Sequence, residues 1–337
     1  MSNLRIPKAW ERIPESQVTP EKHYLNRRDA LKQLGVAGAG LAGLIEGTID
    51  PLVARAPQLG PYGHVPAQWA EKWRSLFPAA RNEKYRVAKP VTQEKLFAGY
   101  NNFYEFSLKK DQVKDLVSSF RVHPWEVEIE GEVEKEGKYD LDDLIRMGEL
   151  EDRIYRHRCV EAWSAIVPWT GYPLSQLIKA LNPSPKAKFV RFVSVYRPSQ
   201  MPGQLNKTYP WPYYEALTME EAMNELTLLT FGIYGHPLNK QNGAPIRIII
   251  PWKFGFKGIK SIVKIEFKRK QPRTFWDEFS REYGFYGNIN PNFDHPRWSQ
   301  ASEIFLNTRE RVPTQLYNGY GEFVSQMYDE NDRKYYY

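Results

Sequence analysis

RHRCVEAWS, at residues 156–164, is the most informative stretch of the sequence, because it contains the single cysteine of the 337-residue chain. A thiolate is a soft ligand that suits a transition metal, and neighbouring arginines favour the charged form of a thiol. A buried structural cysteine is the alternative interpretation. Arg156, Arg158 and Glu161 favour a binding site, because charges packed around a core thiol are costly unless something binds there. Cys159 is therefore the candidate metal ligand.

Other kinds of metal site find no support in the sequence. One cysteine excludes an intramolecular disulfide and any Cys-x-x-Cys zinc or iron–sulfur site. The six histidines lie far apart, and no two have the spacing of a zinc motif. His157 is interpreted as a packing or hydrogen-bonding residue rather than a ligand.

The composition indicates one large folded domain. Hydrophobic residues make up 42% of the chain and aromatic residues 14%, which is enough to bury a substantial core. The formal net charge is +7, but basic and acidic residues are mixed along the chain rather than gathered into blocks. This pattern argues against nucleic-acid binding.

The N-terminal stretch is typical of an export signal. RRDALK at residues 27–32 precedes a weakly apolar, Gly/Ala-rich run at 34–45, which is shorter than the roughly twenty residues that span a bilayer. ARA at 54–56 offers a small-x-small cleavage site. We therefore predict a twin-arginine signal peptide at 1–56. Because that route carries folded proteins, its use indicates a cofactor that is inserted before export.

The mature chain is predicted to have an α+β fold with mixed sheets and many loops. Residues 57–96 form an extended segment, and a catalytic domain follows at 97–330. Alternating apolar residues predict strands, and apolar residues at helical spacing predict helices. The predicted strands are 127–133, 189–196, 246–252 and 261–267, and the predicted helices are 139–147, 174–181 and 215–225.

Further segments accompany the cysteine motif, and together they resemble the MsrP (YedY) family, the molybdenum subunits of periplasmic protein-methionine-sulfoxide reductases. The resemblance covers the mature chain from about residue 97 and implies a sulfite-oxidase-like molybdopterin-binding domain. The segments are GYNNFYEF (99–106), QNGAPIR (241–247), PWKFGFKGIK (251–260), EYGFY (282–286) and DHPRWSQ (294–300).

The resemblance implies one Mo-molybdopterin per chain, with Cys159 as the protein ligand to the metal. A guanidinium and glycine-associated backbone N–H groups, as in Arg247 and the 255–260 loop, suit a pterin phosphate. Taken alone, that loop would be interpreted as an exposed basic turn. The serine at 194 stands where the family has a threonine. The implied pterin contacts are Asn101, Tyr104, Glu105, Ser194, Asn242, Arg247, Gly258, Ile259 and Lys260.

The resemblance also implies a reaction and its partners. Oxidised periplasmic proteins containing methionine sulfoxide are the implied substrates, and a haem-containing, MsrQ-like membrane subunit passes electrons from the quinone pool to a monomeric catalytic subunit in the periplasm. Besides Cys159, the catalytic candidates are Glu161, for proton management or water positioning, and Tyr283, for a hydrogen bond to the sulfoxide oxygen. Arg281 is a weaker candidate.

Two other functions remain as alternatives. A sulfite-type oxidase uses the same fold in the opposite redox direction, but it usually adds a C-terminal immunoglobulin-like domain of roughly a hundred residues. The segment after Lys260 is too short for that domain, since the family match occupies much of it. A non-catalytic molybdopterin electron carrier is the second alternative, and it would show no activity toward methyl sulfoxides.

Overall fold

The computed structural model describes residues 71–279 and 282–336. The predicted signal peptide at 1–56, residues 57–70 of the extended segment, and Arg281 lie outside the described residues. Within the described ranges, strands of mixed direction form two sheets and the helices are few and short. This architecture confirms the predicted α+β fold with mixed sheets.

The larger sheet is organised around a long antiparallel hairpin of β4 (Glu151–Cys159) and β5 (Trp163–Pro173). The start of β5 pairs in parallel with β12 (Ser302–Phe305), and its end pairs antiparallel with β8 (Leu228–Ile233). Cys159 is therefore the last residue of a central strand. The other strands of this sheet are β1 (Ala80–Arg81), β9 (His236–Pro237), β10 (Arg247–Ile249) and β13 (Arg311–Pro313).

The smaller sheet has the strand order β3-β2-β11-β6-β7. β2 and β11 run parallel, and the other neighbouring pairs are antiparallel. In β2, Val127 and Ile129 are buried while the intervening glutamates face outward, which is the alternation expected of a half-buried strand. The strands are β2 (Glu126–Gly131), β3 (Gly137–Asp140), β6 (Phe189–Ser194), β7 (Tyr214–Thr218) and β11 (Ile262–Lys268).

The helices cover the sheets and connect them. The longest of those described buries Leu174, Leu177, Ile178 and Leu181 at helical spacing, and Asn182 ends it in the left-handed conformation. No helix in residues 71–279 and 282–336 combines the length and the apolar character needed to cross a membrane. The helices are α1 (Glu94–Ala98), α2 (Val113–Leu116), α3 (Leu141–Arg146), α4 (Leu174–Leu181), α5 (Met219–Met223) and α6 (Gly321–Val324).

The strands predicted at 127–133, 189–196 and 261–267 and the helix at 174–181 are confirmed with small shifts at their ends. The strand predicted at 246–252 is confirmed only for Arg247–Ile249, and the helix predicted at 215–225 is partly wrong. Glu215 lies in β7 with its side chain buried and paired to Lys257 at 2.5 Å. The helix begins only after Thr218, whose side chain accepts a hydrogen bond from the Glu221 backbone N–H in a capping box. The helix predicted at 139–147 likewise begins later, since Tyr139 belongs to β3.

Candidate active site

A single cleft lies at the Cys159 end of β4, where loops from both sheets meet. Its space, including the open mouth, is about 890 Å³. Every residue predicted to contact the pterin or to act in catalysis lines this cleft, except Ser194 and the undescribed Arg281. The structure therefore brings together residues from four separate parts of the sequence, namely 101–105, 159–161, 242–260 and Tyr283.

Cys159 is held by the tight turn of the β4–β5 hairpin. The backbone N–H of Ala162 donates to the Cys159 carbonyl over 3.1 Å, and Ala162 has a positive φ of 61°. From the neighbouring C-terminal segment, Trp298 Nε1 and Gln300 Nε2 each donate to the Val160 carbonyl over 2.7 Å. These bonds fix the backbone of Cys159 and of the turn that follows it.

The arginines beside Cys159 are directed away from its sulfur. Arg158 Nε donates to one carboxylate oxygen of Glu303 over 2.8 Å, and Arg156 Nη2 donates to the other over 3.1 Å. Burial, reinforced by the carboxylate of Glu161, raises the pKa of the Cys159 thiol to about 12. Arg158 lowers this pKa as expected, but its effect is outweighed by burial, so the net shift is upward. A coordinated metal ion would supply the positive charge that a thiolate needs here.

Two N–H groups converge on the Cys159 sulfur. Asn102 Nδ2 and the backbone N–H of Glu161 each lie 3.4 Å from Sγ. Donors of this kind stabilise the anionic form of a sulfur ligand and fix its orientation. The side chain of Cys159 is only 5% exposed, so the sulfur faces the cleft rather than bulk water.

Glu161 and Tyr283 occupy the wall next to the sulfur. The Glu161 carboxylate accepts hydrogen bonds from Lys110 Nζ at 2.6 Å, from Asn102 Nδ2 at 3.1 Å and, at a longer 3.5 Å, from the Tyr104 hydroxyl. Tyr283 packs its ring against Trp276, and burial raises the pKa of its phenol well above the usual value. Its hydroxyl is therefore protonated and can donate a hydrogen bond.

The inner part of the cleft suits a polar cofactor. Buried polar groups in proteins are almost always hydrogen-bonded, yet several atoms of the cleft walls have no hydrogen-bond partner within the described chain. Such a concentration of unsatisfied groups fits a site for a ligand rich in donors and acceptors. The atoms are Asn101 Oδ1, Asn102 Oδ1, Trp163 Nε1, the Gln241 amide oxygen and nitrogen, Asn242 Oδ1 and Arg247 Nε.

The charges of the cleft suit an anionic group. Arg247 is buried, and its terminal nitrogens donate to the carbonyls of Asn242 at 2.7 Å and Gly258 at 3.1 Å. Burial lowers the pKa of Arg247 to about 9. Burial and the nearby Arg247 lower the pKa of Lys260 to about 7. A phosphate bound between these two cations would stabilise both charges.

The turn at Gly258 brings its backbone close to the side chain of Arg247. A Cβ at this position would lie 2.9 Å from the Ile248 carbonyl and 3.2 Å from Arg247 Nη2, so only glycine fits without displacing a neighbour. Glu105 also lines the cleft, and burial raises the pKa of its carboxyl to about 7 against the opposing effects of Lys260 and Ser194. Ser194 itself is buried at the end of β6 and does not line the cleft.

Sequence reasoning missed several residues of the cleft. Asn102, Trp163 and Gln241 line it and carry unsatisfied polar atoms, and His157 lies between the rings of Phe97 and Trp163. Burial, together with Arg247 and Lys260, lowers the pKa of His157 to about 3, so the ring is neutral. Asn102 and Gln241 are adjacent in sequence to the predicted pterin contacts Asn101 and Asn242. This adjacency is the one feature of the sequence that could have indicated their place in the cleft.

Comparison with known proteins identifies the family. Residues 114–276 match the family described as the oxidoreductase molybdopterin binding domain. The chain is 46% identical over 339 residues to the protein-methionine-sulfoxide reductase catalytic subunit MsrP of Burkholderia mallei (strain ATCC 23344), covering 99% of this chain and 98% of that protein. The chain belongs to the MsrP family. The predicted family and its molybdopterin cofactor are thereby confirmed.

The structure of this MsrP family member was also compared with solved structures of other proteins. The sulfane dehydrogenase SoxCD from Paracoccus pantotrophus is 18% identical, with a TM-score of 0.42, and the match covers 76% of this chain and 68% of that one.

The cofactor agrees with the donor set that the cleft presents. No cluster of three or more His, Cys, Asp or Glu side chains that could hold a metal occurs in residues 71–279 and 282–336.

Proposed function

We propose that this chain is a periplasmic, molybdenum-dependent reductase of methionine sulfoxide in oxidised proteins. The observation that carries the proposal is the grouping of Cys159, Glu161 and Tyr283 on one wall of a cleft whose inner part fits a pterin. The 46% identity to a protein-methionine-sulfoxide reductase catalytic subunit supports the choice of substrate.

The residues of the cleft have separate roles in the proposed reaction. When bound, the molybdenum cofactor supplies the two-electron change that converts a sulfoxide and two protons into a thioether and water. Cys159 supplies a thiolate to the metal, and Tyr283 donates a hydrogen bond to the sulfoxide oxygen. Glu161, held by Lys110 and Asn102, orders water or protons beside the open side of the site.

The polar groups of the inner cleft hold the cofactor. Arg247 and Lys260 neutralise the phosphate, and Asn101, Tyr104, Glu105 and Asn242 line the pterin. Gly258 and Ile259 bring backbone groups to the same region, and Ser194 lowers the pKa of the Glu105 carboxyl. Fixing the cofactor in this way orients the reacting atom and limits access of water to it.

Electrons reach this site from a partner. A haem-containing, MsrQ-like membrane subunit that takes electrons from the quinone pool is the proposed donor, since the relative from Burkholderia is named as the catalytic subunit of its enzyme. The twin-arginine motif at 27–32 supports export to the periplasm. The chain itself acts as a monomeric catalytic subunit.

Substitution of Cys159 by serine tests the central part of the proposal. A serine hydroxyl is far less acidic and a harder donor, so Cys159→Ser should abolish reduction of a methyl sulfoxide by a chemically reduced viologen. The pterin should remain, because its other contacts are intact, and circular dichroism should be near that of the native chain. Native turnover per folded molecule would show that Cys159 is a core thiol and would overturn the proposal.

The same assay separates the alternative functions. A non-catalytic carrier would give no turnover with methyl sulfoxides, and a sulfite-type oxidase would oxidise sulfite with an artificial acceptor. Tyr283→Phe serves as a milder variant, because it removes only the hydroxyl. It should lower sulfoxide turnover about tenfold, equivalent to about 1.4 kcal/mol, without changing the molybdenum content.

A further inference from the structure

Gln241 is a wall residue of the cleft to which the mechanism above gives no role. It lies in the single-turn helix Lys240–Asn242, which is closed by hydrogen bonds from the Asn242 and Gly243 backbones to Asn239 at 2.9 Å and Lys240 at 3.1 Å. Its side chain is completely buried and lines the cleft. The position of the residue is thus fixed by backbone bonds and does not depend on its own amide.

Both polar atoms of the Gln241 amide lack a hydrogen-bond partner within the described residues, 71–279 and 282–336. A carboxamide can accept through its oxygen and donate twice through its nitrogen, and burying these groups without partners is unfavourable. A buried glutamine that contributes nothing to the fold itself is explained if a ligand supplies both partners.

Gln204 shows how the same side chain behaves when it is structural. It is also buried, but its Nε2 donates to the Val195 carbonyl at 2.8 Å, and its oxygen accepts from the Arg197 backbone N–H at 2.7 Å. Both halves of that amide are therefore used within the fold. The contrast with Gln241 lies in the surroundings and not in the residue type.

The neutral amide of Gln241 indicates which part of a ligand it binds. The cations of the cleft, Arg247 and Lys260, suit an anionic group, whereas the neutral Gln241 suits a neutral group with one donor and one acceptor side by side. The pyrimidine ring of a pterin has this arrangement in its N3–H and its neighbouring C4 oxygen. We propose that Gln241 binds this edge with a pair of hydrogen bonds, its oxygen accepting from N3–H and its nitrogen donating to the C4 oxygen.

This inference rests on the proposed function, since it assumes that the cleft holds a molybdopterin. Its test compares the full-length chain with and without cofactor, the latter produced in cells that cannot synthesise the pterin. Gln241→Met keeps the length and removes both polar atoms, Gln241→Glu keeps the shape and removes the N–H donors, and Gln204→Met is the matched control. The measurements are the thermal midpoint, and the rate at which the loaded protein releases pterin, followed by pterin fluorescence.

The expected result separates binding from folding. In the cofactor-free chain, Gln241→Met should leave the midpoint unchanged or raise it, while Gln204→Met should lower it. In the loaded chain, both Gln241 variants should release pterin about tenfold faster than the native protein. If the cofactor-free chain does not give a cooperative transition, the release rates of the native chain and the two Gln241 variants still decide the question.

Two results would overturn the inference. Native release rates in both Gln241 variants would show that the amide does not contact the cofactor. A fall in the midpoint of the cofactor-free Gln241→Met chain as large as that of Gln204→Met would show that the amide has a structural role. A native chain that contains neither pterin nor molybdenum would instead contradict the proposed function, so the two failures are distinguishable.

Discussion

Lys110 joins the loop that carries Asn101 and Tyr104 to the hairpin that carries Cys159. Its carbonyl accepts from the Asn101 backbone N–H at 3.0 Å, and its ammonium group lies 2.6 Å from the Glu161 carboxylate. Burial opposes the charge of Lys110, but Glu161 outweighs this effect, so the pKa of the ammonium group is raised. One side chain thus holds Glu161 in place and compensates a carboxylate that stands beside the sulfur.

Removing this cation should affect catalysis more than stability. The pair is about one-quarter exposed on each side, and such ion pairs contribute roughly 0.2–1 kcal/mol to folding. Lys110→Met should nevertheless lower kcat/KM for a methyl sulfoxide about tenfold, because Glu161 is no longer held. Lys110→Arg should retain most of the activity, and the molybdenum content should be native in both. Equal kcat/KM in the native and Met proteins would show that the pair is only a surface contact.

His295 should make stability depend on pH. Burial, together with Arg297, lowers the pKa of this imidazole to about 4, and the Glu282 carboxylate at 3.9 Å does not reverse the shift. The imidazole is therefore protonated near pH 6.5 in the unfolded chain but only near pH 4 in the folded chain. Because the unfolded chain binds more protons between these values, the free energy of unfolding decreases as the pH drops through this window.

Urea unfolding of the loaded protein between pH 7 and pH 4 measures this effect. His295→Asn cannot titrate in the window, so its stability should fall less steeply with decreasing pH than that of the native protein. It should also be less stable at pH 7, since the stacking of His295 on Trp298 is lost. Parallel curves for the two proteins would exclude His295 as the titrating group.

At the residue scale, the sequence predicts the residues that belong to recognisable motifs and misses those that act through contacts. Cys159, Glu161 and Tyr283 were identified from their segments, and they meet in one cleft. Lys110 was not identified, because its importance depends on an ion pair with a residue fifty-one positions away. Gln241 was missed for another reason, since an unsatisfied amide is recognised only when all its neighbours are known.

A single helical turn positions the loop at residues 101–105 of the cleft wall, the proposed cofactor loop. The helical turn at Pro202–Leu205 packs against the backbone of residues 104 and 105, which line the cleft. A Cβ on Gly203 would overlap the Tyr104 carbonyl oxygen and would lie 2.8 Å from the carbonyl carbon of Glu105. Only glycine lets the two segments approach this closely, so the position of the cofactor loop depends on one residue of another loop.

Gly203→Ala should displace that loop. Overpacking of this kind typically costs 1–3 kcal/mol, and the cofactor content should fall because Tyr104 and Glu105 move. Gly321→Ala is the control, since a Cβ there would meet only Tyr317 at 3.8 Å and alanine favours the helix that starts at this residue. Pterin content and urea midpoints should change in the first variant and stay native in the second. An unchanged pterin content in Gly203→Ala would show that the loop tolerates the shift.

At the element scale, regular alternation was predictable and buried charge was not. β2 alternates as its sequence predicts, whereas β11 buries Glu266 between Ile265 and Phe267, where it pairs with Arg191 at 2.5 Å. β5 shows no alternation, because it is buried along nearly its whole length and contains Pro168 and Gly171, so the central hairpin was not predicted. The helix predicted from Glu215 failed because that glutamate is buried opposite Lys257, an ion pair that only the tertiary structure creates.

At the scale of the whole molecule, the order of cofactor insertion and export matters. The residues that line the cleft come from the 99–110 loop, the β4–β5 hairpin and the turns around β10, so the cleft exists only once both sheets have formed. The buried Arg247 and Lys260 repel each other until an anion binds between them. A chain that folds around its cofactor would need an export route that accepts folded proteins, and the motif at 27–32 predicts such a route.

Replacing both arginines of that motif tests the order of events. The double variant Arg27→Lys with Arg28→Lys keeps the charge but alters a pair that the export machinery reads as arginines. We expect folded, molybdenum-loaded protein to accumulate in the cytoplasm, measured by cell fractionation, metal analysis and sulfoxide turnover of the cytoplasmic fraction. Arg5→Lys with Arg12→Lys, two arginines of the same N-terminal stretch, should be exported normally. Native periplasmic amounts of the first variant would contradict the twin-arginine assignment, and metal-free cytoplasmic protein would show that loading does not precede export.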